Sequence, residues 1–506
     1  MSYRNCGFVP EPQLQNANSS DSLVSQILRG SRPLLDSDHA LLSAEIVELE
    51  QQQAIYAAQL EAIQLCRCAV LKALENRKSI YAPIRRLPRD ILIEIFDSVC
   101  DSWWQEADEN LSLRQRRDSL DVSGPLWVLG RVCGVWRDTL HGSPASWARK
   151  LVVQAPFSKY APEILQTYLE HTGEHLLHLY VNCTEPTQGD IILSLLVQSC
   201  QRWKNLRINA DKSYMPHFES ISHFPALQRI DINFYNAHGP TYRSDMCLGA
   251  PQLWQASLCG HGIHQMKLPP GITHFSGCIT CPEDLHLLSQ LRNLRRCHLW
   301  MDVAMATKET PVVTVAWLTH LYVDRMDILN FLSAPLLSSL TIGCIPAGPR
   351  SSSAQESITC FLRRSRCHLE SLSIGNVVVT LNTPPRMSAL EACSTVSRLK
   401  LELHSGMING VVEALTSPSV LPNLRHLILC LSRHLEGEWT AILGMVRSRR
   451  DAGLLKLVEV QFGVDENWHD WNPAEDIRAL SGGDFQIRVE EWDPPSQDHL
   501  YLWHLS

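Results

Sequence analysis

Nothing in this 506-residue sequence approaches the run of roughly 18 uncharged apolar residues that a membrane-spanning helix requires. Its opening, MSYRNCGFVPEPQLQNANSSDS, lacks the apolar core of a secretory signal. A basic excess is missing too. Lys and Arg number 45 against 53 Asp and Glu, a formal charge of -8, and no long Lys/Arg block occurs, which argues against nucleic acid or an anionic membrane as partner. There is no G-x-x-x-x-G-K-[ST] nucleotide loop and no G-x-S-x-G nucleophile elbow. The 17 cysteines are odd in number and irregular in spacing. In a chain outside the secretory route they are expected to be mostly free thiols, with cytoplasm or nucleus as the compartment.

What is present is an ordinary globular composition, 45% apolar and 19% charged, long enough for roughly two to four domains. Residues 1–38, rich in Asn, Gln, Ser and Pro with little apolar period, are expected to be a disordered arm. A heptad-patterned helix is expected over residues 39–80. Leu42, Leu49, Tyr56, Ile63 and Val70 recur at heptad spacing, with Ile46, Gln53, Leu60, Arg67 and Leu74 as the companion series. Such a helix either forms a homodimer or packs back on its own chain, and the polar Arg67 weakens the dimer seam. Pro83 ends it.

Residues 81–150 begin with a second apolar helix, LPRDILIEIFDSVC, in which Ile91, Leu92, Ile95, Phe96 and Val99 recur at helical spacing. A polar, charge-mixed interruption follows at 101–124, and then PLWVLGRVCGVWRDTLHGSPASW, which suits two more short helices.

From 151 to 506 the regime changes to a repeat. The pattern L-x-x-L-x-L returns at Leu176–Val181, Trp203–Ile208, Leu227–Ile232, Leu253–Leu258, Leu294–Leu299, Leu318–Val323, Leu337–Ile342, Leu369–Ile374, Val396–Leu401, Leu424–Leu429 and Leu455–Val460, with a weaker copy at Ile272–Phe275. The copies lie roughly 25 residues apart, in the range of leucine-rich repeats. In each, the alternating leucines of a short strand turn to one side. Helical stretches separate several copies, for example Pro162–Thr172, Asp190–Cys200 and Glu438–Asp451. One strand and one helix cannot close a core, so the copies must stack. The expected fold is α/β: an N-terminal helical segment and three short helices, then a curved solenoid with a parallel sheet. Phe485–Trp492 alternates at period two and reads as a terminal strand capping the array.

Leu87-Pro88, Ile95-Phe96, Val132-Cys133 with Trp136-Arg137, and Trp147 follow the order of the F-box pattern. The chain resembles basidiomycete-type fungal F-box proteins with degenerate leucine-rich repeats, departing from the compact pattern by the 101–124 insertion. The resemblance implies a non-catalytic adaptor. Its F-box would dock on the Skp-type subunit of a cullin ubiquitin ligase, and its repeats would hold a protein substrate. Leu87, Pro88, Ile91, Leu92, Ile95, Phe96, Val132, Cys133 and Trp136 occupy the family's docking or packing positions. The strand positions between the leucines, among them His178, Tyr180, Arg207, Asp231, His298, Tyr322, Ser373, Lys400 and Ile428, would form the target-binding face. Their chemical mixture implies no single ligand class. The alternative is a repeat scaffold or ligand-binding protein detached from any ligase, favoured if the insertion blocks docking.

No catalytic residue, cofactor or metal is expected. The dense Cys/His ladder of a RING is missing. His261, His264, Cys278 and Cys281 have spacing that could hold zinc, but Cys281 opens a Cys-Pro turn and cysteine serves repeats as a small core residue. Trp468 and Trp471 read as packing at the last repeat.

Overall fold

The computed structural model describes residues 20–109, 117–183, 189–235, 244–259, 263–301, 311–344, 351–375, 390, 393–403, 408–431, 439–463, 473–482 and 484–492. The chain divides into two compact units, Met1–Pro88 and Arg89–Ser506.

The first unit holds a helix at Ser20–Leu28 and a long one at Asp36–Ile80. The short helix corrects the expectation of a disordered arm: SLVSQIL carries enough apolar residues for two turns. Arg32 pairs with Asp38 at 2.9 Å in the first turn of the long helix, where a carboxylate also suits the helix dipole. The heptad residues Ile46, Leu49, Tyr56, Leu60, Ile63, Val70 and Leu74 are exposed, and Leu42 is half-buried. By length and mean hydropathy, 1.2 over its most apolar window, this helix is long and apolar enough to cross a membrane. That differs from the expectation drawn from uncharged runs, because Ala, Leu and Cys raise the mean across scattered charges.

The second unit opens with three helices, Arg89–Glu109, Pro125–Val132 and Gly134–His141, followed by a short turn of helix at Pro144–Ala148. The first runs well into the expected insertion.

A single 14-stranded parallel sheet then accounts for most of the chain. Its first strands are β1 (Leu151–Gln154), β2 (Leu177–Cys183), β3 (Trp203–Asp211), β4 (Arg229–Tyr235), β5 (Gln255–Cys259), β6 (His274–Ile279) and β7 (Arg296–Met301). After a two-residue strand β8 (Val313–Thr314) come β9 (His320–Arg325), the two-residue β10 (Leu332–Ser333), β11 (Ser339–Cys344), β12 (Ser371–Ile374), β13 (Arg398–Leu403), β14 (His426–Leu431), β15 (Leu457–Gly463) and β16 (Gln486–Trp492). β8 and β10 pair only with each other; all the others neighbour the next in chain order. Every copy of the L-x-x-L-x-L pattern, and the terminal Phe485–Trp492 segment, lies on one of these strands.

The register explains why. One ladder runs Leu151, Leu179, Leu206, Ile230, Ala256, Phe275, Cys297, Leu321, Leu340, Leu372, Leu399, Leu427, Val458 and Ile487. The ladder two residues further along is apolar too, apart from Gly277. Both turn to one face, where nearly every side chain is buried in a continuous core. Burial at ~25 cal/mol per Å² makes each copy depend on its neighbours. Gly277 is required there: a Cβ would fall 2.6 Å from the Phe275 ring.

The helices between strands cover the core face. Ala161–His171, Asp190–Val197, Pro282–Gln290, Ser351–Ser365, Ile408–Thr416 and Trp439–Asp451 match the expected helical stretches closely. Elsewhere short 3-10 turns such as Met246–Gly249 and Met326–Phe331 make the connection.

Candidate functional site

Two surfaces carry the residues singled out from the sequence. The first is the three-helix segment. On the Arg89–Glu109 helix, Leu92, Phe96 and Cys100 form an i, i+4, i+8 stripe that is buried. Phe96 is fully buried and meets the Trp136 ring at 4.9 Å. One residue round the helix, Ile91, Ile95 and Val99 form a parallel stripe. Ile91 and Val99 are exposed and Ile95 half-buried. Val128, Val132 and Val135 on the next two helices are also exposed, at 46%, 56% and 51%. Cys133 is half-buried in extended backbone between those helices. In the other unit, Leu87 is half-buried and Pro88 exposed. Leu92 and Phe96 are therefore packing residues, with Trp136 against them, while Pro88, Ile91 and Val132 face solvent.

Trp147 closes this segment against the sheet. It is buried, its Nε1 donates to the Leu140 carbonyl at 3.2 Å, and its ring meets Trp127 at 5.3 Å and Tyr168 at 5.1 Å. Arg89 donates to the Asp138 carbonyl at 3.1 Å and occupies the space a Cβ on Gly142 would need. The described end of the insertion, 117–124, joins the sheet edge. Ser119 N–H donates to the Val152 carbonyl at 2.9 Å and Leu120 enters the core. Between insertion and sheet lies a cavity of about 360 Å³ lined by Trp103, Trp104, Trp127, Asp118 and Lys150. The cations that line it are already engaged: Arg149 pairs with Asp101 at 2.6 Å and Asp97 at 3.1 Å, and Lys150 lies 4.7 Å over Trp104.

The second surface is the face of the sheet opposite the core. Tyr180, Arg207, Asp231, His298, Tyr322, Ser373, Lys400 and Ile428 fall in a single row, in register from strand to strand; His178 lies in the row two residues earlier. Three of them are internally matched. Arg207 stacks 5.2 Å over Tyr180 and pairs with Asp231 at 3.1 Å. Burial raises the Asp231 carboxyl, and Arg207 and Ser257 oppose that rise. Ser373 and Lys400 are half-buried.

His298, Tyr322 and Ile428 correct the expectation of exposure. His298 is buried at 3% and Tyr322 at 6%, their rings 4.0 Å apart and edge-on, and Ile428 is buried at 4%. Adjacent aromatic rings in register cover one another, and the Tyr322 hydroxyl lies where Gly343 would carry a side chain.

Of the four residues with zinc-like spacing, His261 lies outside the described residues, as do Trp468 and Trp471, and Cys278 is buried in β6. His264, Cys281 and Asp284 do converge, their ligand atoms within 4.8 Å of one another. Asp284, though, is the N3 residue of a capping box at the start of the Pro282–Gln290 helix, with Cys281 at the N-cap. Its fully buried carboxylate accepts from the backbone N–H groups of Thr280, Cys281 and His264, from the Thr280 hydroxyl and from His264 Nδ1 at 2.8 Å. Burial opposes ionisation, and these donors together hold the carboxyl below its ordinary range. Cys281 Sγ faces the same Nδ1 at 3.6 Å, so imidazole cannot relay a proton from thiol to carboxylate through its two nitrogens. Burial and the Asp284 charge push the thiol up to about 12. The cluster reads as a helix cap.

No protein-family model matches the chain, and no curated protein matches it.

Proposed function

We propose that the protein is an F-box substrate receptor: the segment from Leu87 to Trp147 docks on a Skp-type adaptor of a cullin ubiquitin ligase, and a leucine-rich-repeat solenoid beyond it holds the protein target. The carrying observation is the split on the Arg89–Glu109 helix, where Leu92, Phe96 and Cys100 are buried and Ile91, Ile95 and Val99 lie to the outside. A small helical segment that leaves Ile91, Val99, Val128, Val132 and Val135 exposed gains from a partner, at ~1.5–3 kcal/mol for each side chain fully buried. Residues 101–109 and 117–124 of the insertion leave Ile91 and Val99 exposed, and Ser119 ties the second stretch to β1. Such a receptor makes no bond itself. It raises the effective concentration of a target lysine beside a ubiquitin-loaded enzyme.

The test is binding of the purified full-length chain to a Skp-type adaptor, beside the double variants Leu87→Ala/Pro88→Ala and Ile91→Asp/Val132→Asp. Micromolar or tighter binding, lost in both variants while they stay folded, supports the reading. A folded wild-type chain that does not bind sinks it and leaves a repeat scaffold outside any ligase.

A further inference from the structure

The sheet face opposite the core carries a second row, which the mixed chemistry of the first conceals. From β4 to β14, two residues before the Asp231–Ile428 stretch of that row, the strands present Arg229, Gln255, His274, Arg296, His320, Ser339, Ser371, Arg398 and His426 in unbroken register. Six of these nine are Arg or His and none is acidic. The chain as a whole holds 53 Asp and Glu beside 45 Lys and Arg and 21 His, so a stretch of nine positions without an acid is a local bias.

The row is a held arrangement. The Arg229 guanidinium lies 4.8 Å over the Trp254 ring, and the same ring meets His274 edge-on at 5.0 Å. Trp254 thus fixes one cation and one imidazole side by side. The His274 Nδ1 faces the Thr273 hydroxyl at 2.8 Å, and the His320 Nδ1 faces the Thr319 hydroxyl at 2.9 Å. In both, the threonine hydroxyl, itself donating to a backbone carbonyl, fixes the orientation of the imidazole ring. Arg296 stands between the two histidines, as the register partner of each.

Of the carboxylates on this face, Glu402 lies on β13 four residues beyond Arg398, and the others lie at the ends of the row or are occupied. Asp231 is paired with Arg207 at 3.1 Å, and Asp324 accepts the Met301 N–H at 3.1 Å. Glu459, on β15 beyond the row, lies 3.1 Å from His426 and 3.7 Å from Arg488. From β5 to β13 the adjoining row offers Ser257, Ser276, His298, Tyr322, Thr341, Ser373 and Lys400, again without an acid.

Among the described residues, no ion pair engages Arg229, Arg296 or Arg398. His274 is driven down to about 4 by burial first, then by Arg296, Arg229 and His320. His320 is lowered by burial and by Arg296. Burial thus disfavours the charged imidazoles, and the row's lasting charge is that of Arg229, Arg296 and Arg398, set in line for an opposite charge.

We propose that this row binds an acidic polypeptide segment, phosphorylated side chains included, running across the strands. Eight inter-strand steps separate Arg229 from His426. At roughly 4.8 Å each they span about 38 Å, the length of about eleven extended residues at ~3.4 Å apiece. Carboxylate and phosphate oxygens match the paired donors of Arg229, Arg296 and Arg398, and the hydroxyls of Ser339 and Ser371 fill the gap between Arg296-His320 and Arg398. A polypeptide fits better than nucleic acid because the row is one side chain wide. As the choice of target for a ligase this rests on the receptor reading; as a binding site it does not.

The test is fluorescence anisotropy with the full-length chain and no ligase subunit. The labelled probes are decaglutamate, a ten-residue phosphoserine peptide, decalysine and a ten-nucleotide oligouridylate. Arg229→Gln/Arg296→Gln/Arg398→Gln removes the charged row, and Arg292→Gln/Arg363→Gln/Arg447→Gln removes three exposed charges elsewhere; circular dichroism and thermal melting verify that both fold. The expected result is binding of the two anionic peptides and not of decalysine, weakened by salt, at least tenfold weaker in the row variant and unchanged in the other. Absence of anionic-peptide binding by the wild type, or equal loss in both variants, overturns the site. Tighter binding of oligouridylate than of either peptide overturns the polypeptide assignment. Failure of the separate adaptor-binding experiment bears on the receptor reading alone.

Discussion

Ser119 and Val152 hold each other by two hydrogen bonds: Ser119 N–H donates to the Val152 carbonyl at 2.9 Å, and Val152 N–H donates to Ser119 Oγ at 2.9 Å. A side chain from the insertion thereby finishes the open edge of a 14-stranded sheet, as an added strand would. Both residues are buried, and the Ser119 carbonyl also accepts from Trp127 Nε1 at 3.0 Å. Ser119→Ala strands the Val152 N–H without an acceptor. The expected loss is ~1–3 kcal/mol, the cost of an unsatisfied buried donor, seen as a lower urea midpoint at unchanged slope.

Arg449 poses a similar problem at the other end of the sheet. It is 5% exposed, and its guanidinium donates to the carbonyls of Leu415, Ser417, Val420 and Leu421. These lie at and just beyond the C-terminal end of the Ile408–Thr416 helix, where unpaired carbonyls and the helix dipole favour a cation. Arg449→Met removes every donor at once and is expected to cost at least ~2 kcal/mol. Arg449→Lys keeps the charge but not the planar fork, so its midpoint should fall between those of wild type and Arg449→Met.

Much of this was readable beforehand. The leucine ladder was legible because the strand period of two and the stacking constraint act on the same residues; Leu206, Ile230 and Leu399 could hardly be elsewhere than inside. The basic row was not. Arg229, His274 and Arg296 stand far apart in sequence, each ordinary alone, and only the register makes them neighbours. His298 and Tyr322 were misread for a related reason. Alternation assigns a face, but cover from a partner on the next strand decides exposure. The division of Ile91 from Leu92 was equally hidden, since both are apolar and adjacent.

Stability should depend on pH through Asp118. Burial pushes its carboxyl up to about 6 from 3.8, against the opposing hydrogen bond from Leu120 N–H at 2.9 Å. The folded state then binds the proton more tightly than the unfolded chain does. The group is a full burden above pH 6, and the burden shrinks as pH falls through 6 and is gone below 3.8. Asp118→Asn keeps the acceptor and discards the charge. It should melt higher than wild type at pH 7.5, with the difference closing by about pH 4.

Cysteine reactivity gives an independent reading of the core. Cys66, Cys68 and Cys360 are exposed. Cys183, Cys247 and Cys393 are buried, and burial pushes their thiols up to about 12. A thiolate is the reacting form, so brief iodoacetamide treatment of the native chain at pH 8 should label the first three and spare the second three. Mass spectrometry of the digested protein reads both sets at once, and urea should equalise them.

Phe96 and Ile91 lie five residues apart on one helix, and the receptor reading assigns them opposite roles. Phe96 is fully exposed to nothing but protein, with Trp136 at 4.9 Å; Phe96→Ala opens a cavity among the three helices and is expected to cost ~3–5 kcal/mol. Ile91 is 37% exposed, so Ile91→Asp should change stability by no more than ~0.5 kcal/mol. If the outer stripe is a docking face, Ile91→Asp must nonetheless weaken adaptor binding at least tenfold, because the partner would bury a carboxylate without a counter-charge. Calorimetric unfolding and titration of adaptor onto the same preparations separate the two effects. An Ile91→Asp chain that folds like wild type and binds like wild type would place the docking face elsewhere.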